Sequence, residues 1–117
     1  MDYIIVYDTK GPNFFFIVKS AQWGFLTTTI LSKDQPQQEI LRLIESQAGV
    51  KTVKSLKKVD DALHDIYMVE TNMNLPIHIA SEYSTYGWEK VEDVASKLED
   101  PVLQSVFVEA VEFLKNA

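Results

Sequence analysis

The chain has 117 residues, of which 46% are hydrophobic, 24% charged and 11% aromatic, with only four glycines and four prolines. This composition excludes collagen-like, low-complexity and disordered chains, and the length suits a single globular domain over residues 1–117. The net charge of −6 is unevenly spread: residues 1–58 carry eight Lys or Arg against five Asp or Glu, residues 59–117 three Lys against twelve.

With no cysteine in the chain, disulfide frameworks, thiolate nucleophiles and cysteine-held metals are excluded. Met1-Asp2-Tyr3 lacks the basic start of a signal peptide. Ser20–Ser32 is the longest stretch free of Asp, Glu, Lys and Arg. It falls short of the roughly 18 apolar residues that a membrane helix needs. A cytoplasmic protein with no membrane contact is the expectation.

Tyr3–Tyr7 reads as a β-strand, and Thr9-Lys10-Gly11-Pro12-Asn13 as a turn. Phe14–Val18 is apolar without alternation, as in a strand buried on both faces. Trp23–Leu31 suits a third strand, with Trp23, Phe25, Thr27, Thr29 and Leu31 on one face. Asp34 is the candidate cap of a helix that takes Pro36 in its first turn and ends at Gly49.

Residues 51–63 fit either a helical stripe or a hairpin, and strand is favoured over 51–58. Residues 66–71 and 76–81 then read as paired strands around Asn72–Pro76. Trp88, Val91, Val94 and Leu98 mark one amphipathic helix. Asp100-Pro101 opens a second, with Leu103, Val106, Phe107, Ala110, Val111 and Leu114 as its apolar stripe. The fold class expected is α+β: a mainly antiparallel sheet of about 4–6 strands, one central helix and a C-terminal helical pair packed on it.

The four glycines stand apart at 11, 24, 49 and 87, so no phosphate-cradling glycine loop can be built in sequence. His64 beside Asp65 and His78 between two isoleucines are candidates for acid–base work, but neither sits in a motif. They read more readily as a turn residue and a strand residue. Lys51, Lys54, Lys57 and Lys58 form a basic cluster that could grip a phosphate backbone or guard a sheet edge.

Tyr83, Tyr86 and Trp88, bordered by Glu82 and Glu89, have the chemistry of a binding hot spot at a strand-to-helix junction. Glu89, Glu92, Asp93, Glu99 and Asp100 are read as an acidic helix face, with Asp93 paired to Lys97.

The partner-binding residues expected are Tyr83, Tyr86, Trp88, Glu89, Glu92 and Asp93. Together with the charge they suggest a small acidic protein-binding module, of the inhibitor or immunity type, that occludes a basic surface on another protein. That reading makes the chain more a non-enzyme than an enzyme, with no cofactor, no metal and little affinity for nucleic acid. The alternatives are a nucleic-acid-associated protein using Lys51–Lys58, or a small enzyme using His64 or His78.

Overall fold

The computed structural model describes residues 1–8, 13–31, 34–60 and 62–116. Among them run β1 (Asp2–Asp8), β2 (Phe14–Lys19), β3 (Trp23–Gly24), β4 (Leu26–Thr28) and α1 (Pro36–Ala48). There follow β5 (Ser55–Lys58), β6 (Asp65–Glu70), β7 (Thr85–Glu89), α2 (Val91–Lys97) and α3 (Pro101–Lys115). The strands form one sheet in the order β3-β2-β1-β6-β5, with β4 also paired to β1 and β7 to β2.

Alternation along each central strand feeds two cores at once. Ile4, Val6, Phe16 and Val18 pack with Ile40, Ile44 and Ala48 of α1. Ile5, Tyr7, Phe15 and Ile17 pack with Val94 of α2 and Val106, Phe107 and Ala110 of α3. Strands covered on both faces need no polar side, which explains the unbroken apolar run of β2.

The α+β class holds, with a mixed sheet of seven strands. Five pairings are antiparallel, while β1 and β6 run parallel from Asp2↔Asp65 to Tyr7↔Glu70. Parallel neighbours need a long crossover, and α1 lies within the chain that joins them.

Four local expectations are corrected. Residues 23–31 divide into β3 on β2 and β4 on β1, so Phe25 and Leu26 are buried in opposite cores and Leu31 is 85% exposed. The N-cap of α1 is Gln35, with no side-chain bond, because Pro36 already occupies the first turn and Asp34 lies one residue too early. Residues 76–81 form no strand. His78 N–H donates instead to Ala48 O (2.9 Å) and Ala80 N–H to Gln47 O (2.9 Å). Trp88 belongs to β7, opposite Phe16, and the helix begins only at Val91. Thr9–Pro12 of the expected turn lie outside the described residues.

Asp100 accepts a hydrogen bond from Val102 N–H (2.8 Å) ahead of Pro101, as the Asp-Pro pair suggests. No helix among the described residues is long and apolar enough to cross a membrane.

Two measurements test this packing. Gly49 ends α1 with φ 71°, and a Cβ placed there would lie 3.0 Å from the backbone nitrogen of His78. Gly49→Ala should therefore cost about 1–3 kcal/mol in urea unfolding, from left-handed strain plus that contact; an unchanged midpoint would contradict it. The second concerns tyrosines. Burial pushes the Tyr7 phenol up, opposed by its hydrogen bond with Ser55 and helped by the charge of Glu70. Burial also raises Tyr67, opposed by Lys58 and reinforced by Asp2 and Asp65. A phenol raised in the fold contributes stability below its unfolded pKa of about 10 and loses it as pH climbs through the folded value. Unfolding free energy should fall above that pH, and less steeply in Tyr7→Phe.

Candidate functional site

The C-terminal end of α1 borders a partly enclosed hollow. Gly49 turns the chain, Gly49 N–H and Val50 N–H return to Glu45 O and Ile44 O, and His78 and Ala80 N–H cap Ala48 and Gln47. Of the last four helix carbonyls, those of Glu45, Gln47 and Ala48 thus have amide partners. Between this turn and residues 71–78 lies a pocket of ≈ 290 Å³. Its apolar walls include Val50, Leu75 and Ile77, and its polar side chains include Lys51, Asn72 and His78. Asn72 Oδ1 accepts Asn74 N–H (2.9 Å), and the amide NH₂ can donate. Lys51 and His78 are exposed, and no carboxylate lines the pocket. Two wider hollows, ≈ 520 Å³ between β5 and α3 and ≈ 390 Å³ around Trp23, are more open.

The aromatic residues lie on the same α1-facing side of the sheet. Trp88 and Tyr86 pack on Phe16, with ring centroids at 5.2 and 5.6 Å. Tyr86 is 40% exposed, whereas Trp88 and Tyr83 are partly buried against the core that holds Phe16. Burial raises the Tyr83 phenol, helped by the charge of Glu82. Two atoms in this region, Trp88 Nε1 and Gln47 Oε1, are buried without a partner.

The acidic face is not assembled as expected. Glu89 sits on β7 and holds Lys97 Nζ at 2.7 Å, so Lys97 pairs with Glu89 and not with Asp93. Glu92 and Asp93 are exposed in the first turn of α2, and Asp100 is committed to capping α3.

The lysines are divided as well. Lys51 lines the pocket at α1 and Lys57 the hollow by α3, while Lys58 meets Asp65 (3.7 Å) and the Tyr67 ring. Consecutive side chains of a strand point to opposite faces, so β5 cannot present Lys57 and Lys58 together. His64 is paired, but to Glu109 at 3.3 Å and not to its neighbour Asp65. Glu109 also accepts Leu63 N–H (2.8 Å), so this pair ties the 63–64 segment to α3.

No protein-family model matches the chain, and no curated protein matches it in sequence. Solved structures do resemble it. The Ap4A hydrolase of Caenorhabditis elegans superposes with a TM-score of 0.77 at 14% identity, over 99% of this chain and 98% of that one. The dihydroneopterin triphosphate pyrophosphohydrolase of Escherichia coli follows at 0.69 and 10% identity, covering 98% and 94%. The NUDIX domain of Shewanella oneidensis NrtR, complexed with ADP ribose, reaches 0.67 at 14% identity, covering 96% and 85%. The fold is therefore of the Nudix hydrolase type. This likeness overturns the reading of the chain as an inhibitor or immunity-type binding module, and with it the leaning toward a non-enzyme. Acidity and surface aromatics, which carried that reading, are compatible with many folds and did not discriminate among them.

Phosphate hydrolysis is commonly assisted by divalent cations held on carboxylates. The residues here do not fit such a group. Among the described residues, no three His, Asp or Glu side chains are placed to hold a metal ion. The acids of α1 are Glu39 and Glu45; Glu39 accepts Leu31 N–H at 3.0 Å, and Glu45 faces solvent.

The pocket set of Lys51, Asn72 and His78 is not legible as a set in the sequence. Its assembly depends on residues 77–80 turning back to cap α1, and no local pattern announces that turn. Truncation separates core from surface in the aromatic row. Trp88→Ala should cost about 3 kcal/mol or more of stability, and Tyr86→Ala less than about 1 kcal/mol. Equal losses in chemical denaturation would contradict the assignment of Trp88 to the core edge.

Proposed function

We propose that the protein is a small hydrolase that cleaves a phosphate bond in a nucleoside-type substrate bound at the end of α1. The observation that carries this is the pocket's lining: Lys51, Asn72 and His78 border it and no carboxylate does. The fold likeness to hydrolases across the chain supports the same reading. Ap4A, dihydroneopterin triphosphate and ADP ribose all join phosphates to a nitrogen-containing ring, and the pocket offers matching halves. Val50, Leu75 and Ile77 supply apolar contact for a ring, and the donors supply charge-assisted hydrogen bonds for phosphate oxygens.

In this reading Lys51 stabilises charge that builds on the phosphate oxygens in the transition state. A water oxygen forms the new bond to phosphorus while the bridging P–O bond breaks. His78 gives its proton to the departing oxygen, and the proton of the attacking water passes to solvent. A cysteine-free chain suits the reducing cytoplasm, and we place the activity there.

The test is hydrolysis of Ap4A, ADP ribose and dihydroneopterin triphosphate, followed by chromatography of the products. Wild-type protein should turn over at least one of them. His78→Ala should lower kcat by about 10²–10⁴-fold, as loss of a general acid does, and Lys51→Ala should weaken both kcat and KM. Absence of turnover, or full activity in both variants, would refute the proposal.

A further inference from the structure

We infer that the α1-end pocket binds a phosphate-type anion without a protein-held divalent cation, the ammonium of Lys51 supplying the positive charge in its place. The inference rests on the hydrolase reading for the kind of ligand, and on the polar side chains of the pocket for the mode of binding.

The carboxylates that could recruit a cation are committed elsewhere or lie apart. Asp2 accepts Ile30 N–H at 3.0 Å from a buried position. Asp8 accepts Met73 N–H at 2.7 Å. Glu70 accepts the Ser55 hydroxyl at 3.2 Å, Glu89 holds Lys97 and Glu109 holds His64. A hard cation requires several oxygen ligands around one point, and the pocket lining contains no acidic side chain to begin such a set.

The pocket's own polar groups point to the opposite partner. Asn72 Oδ1 accepts Asn74 N–H, and its NH₂ group is available to donate. Lys51 has donors only, and an imidazole always retains at least one. At the end of α1 the carbonyls of Ile44, Glu45, Gln47 and Ala48 accept the amides of Val50, Gly49, Ala80 and His78, which lessens their repulsion of an anion. An anion therefore has the Lys51 ammonium and the N–H groups of Asn72 and His78 among its lining, and no carboxylate. A divalent cation meets Lys51 and no carboxylate.

Inorganic pyrophosphate is the direct probe, with binding followed by calorimetry in EDTA and again in excess Mg²⁺. Pyrophosphate should bind in EDTA, and Mg²⁺ should leave the affinity unchanged or lower it by masking the anion's charge. Lys51→Ala should weaken binding about tenfold or more, while Lys51→Arg keeps most of it, since the charge is retained. Water-proton relaxation should detect no Mn²⁺ bound to the free protein with Kd below about 1 mM, a range that built carboxylate sites exceed in affinity. Pyrophosphate affinity that appears only with Mg²⁺, tighter Mn²⁺ binding by the free protein, or no pyrophosphate binding in EDTA would each overturn the inference. Turnover that strictly needs Mg²⁺ would overturn it and leave the hydrolase reading standing. Pyrophosphate binding in EDTA without turnover of any nucleotide would support it and refute the hydrolase reading.

Discussion

Everything at the candidate site depends on how the last turn of α1 disposes of its carbonyls. A helix end leaves backbone acceptors without partners, and a buried helix must satisfy them from elsewhere. Here the left-handed Gly49 supplies two amides through the returning chain, and the extended segment 77–80 supplies two more through His78 and Ala80. Hydrogen-bond satisfaction thus positions the chain. Segment 77–80 is held against α1 because its alternate amides are needed there, and His78 is carried with it to the pocket wall.

That arrangement rests on a sheet with two cores. β1 and β2 send successive side chains to α1 on one face and to α2 and α3 on the other. With both faces covered, the sheet cannot slide in register without exposing apolar residues. It gives α1 a fixed seat, and so fixes the pocket at its end. The edge strand β5 carries lysines on both of its faces, in keeping with the usual protection of an open sheet edge.

Much of the fold was legible because its signals are local. The unbroken apolar run at Phe14–Val18 announced a strand buried twice, Asp100-Pro101 announced a helix start, and Gly49 announced a helix end. The failures came where a partner distant in sequence decided the outcome. Residues 76–81 have strand-like composition, but their amides are claimed by α1. Trp88 has helical spacing to Val91, yet pairing with β2 takes it into β7. The aromatic and acidic residues around it looked like a docking surface, whereas their positions divide between sheet face, ion pair and helix turn. Spacing along the chain could not disclose that Lys51, Asn72 and His78 share one pocket. His64 likewise found its carboxylate in Glu109, 45 residues away, and not in the adjacent Asp65.

Segment 77–80 is fastened to the end of α1 by alternate amides, and native-state hydrogen exchange tests this most directly. The amides of His78 and Ala80 are bonded to helix carbonyls, while among the described residues no such bond is found for Ile77 and Ile79. Slow exchange at His78 and Ala80, with fast exchange at Ile77 and Ile79, is the alternating pattern that the account predicts. Uniformly fast exchange across all four residues would mean that the segment is not fastened to α1, and would contradict it.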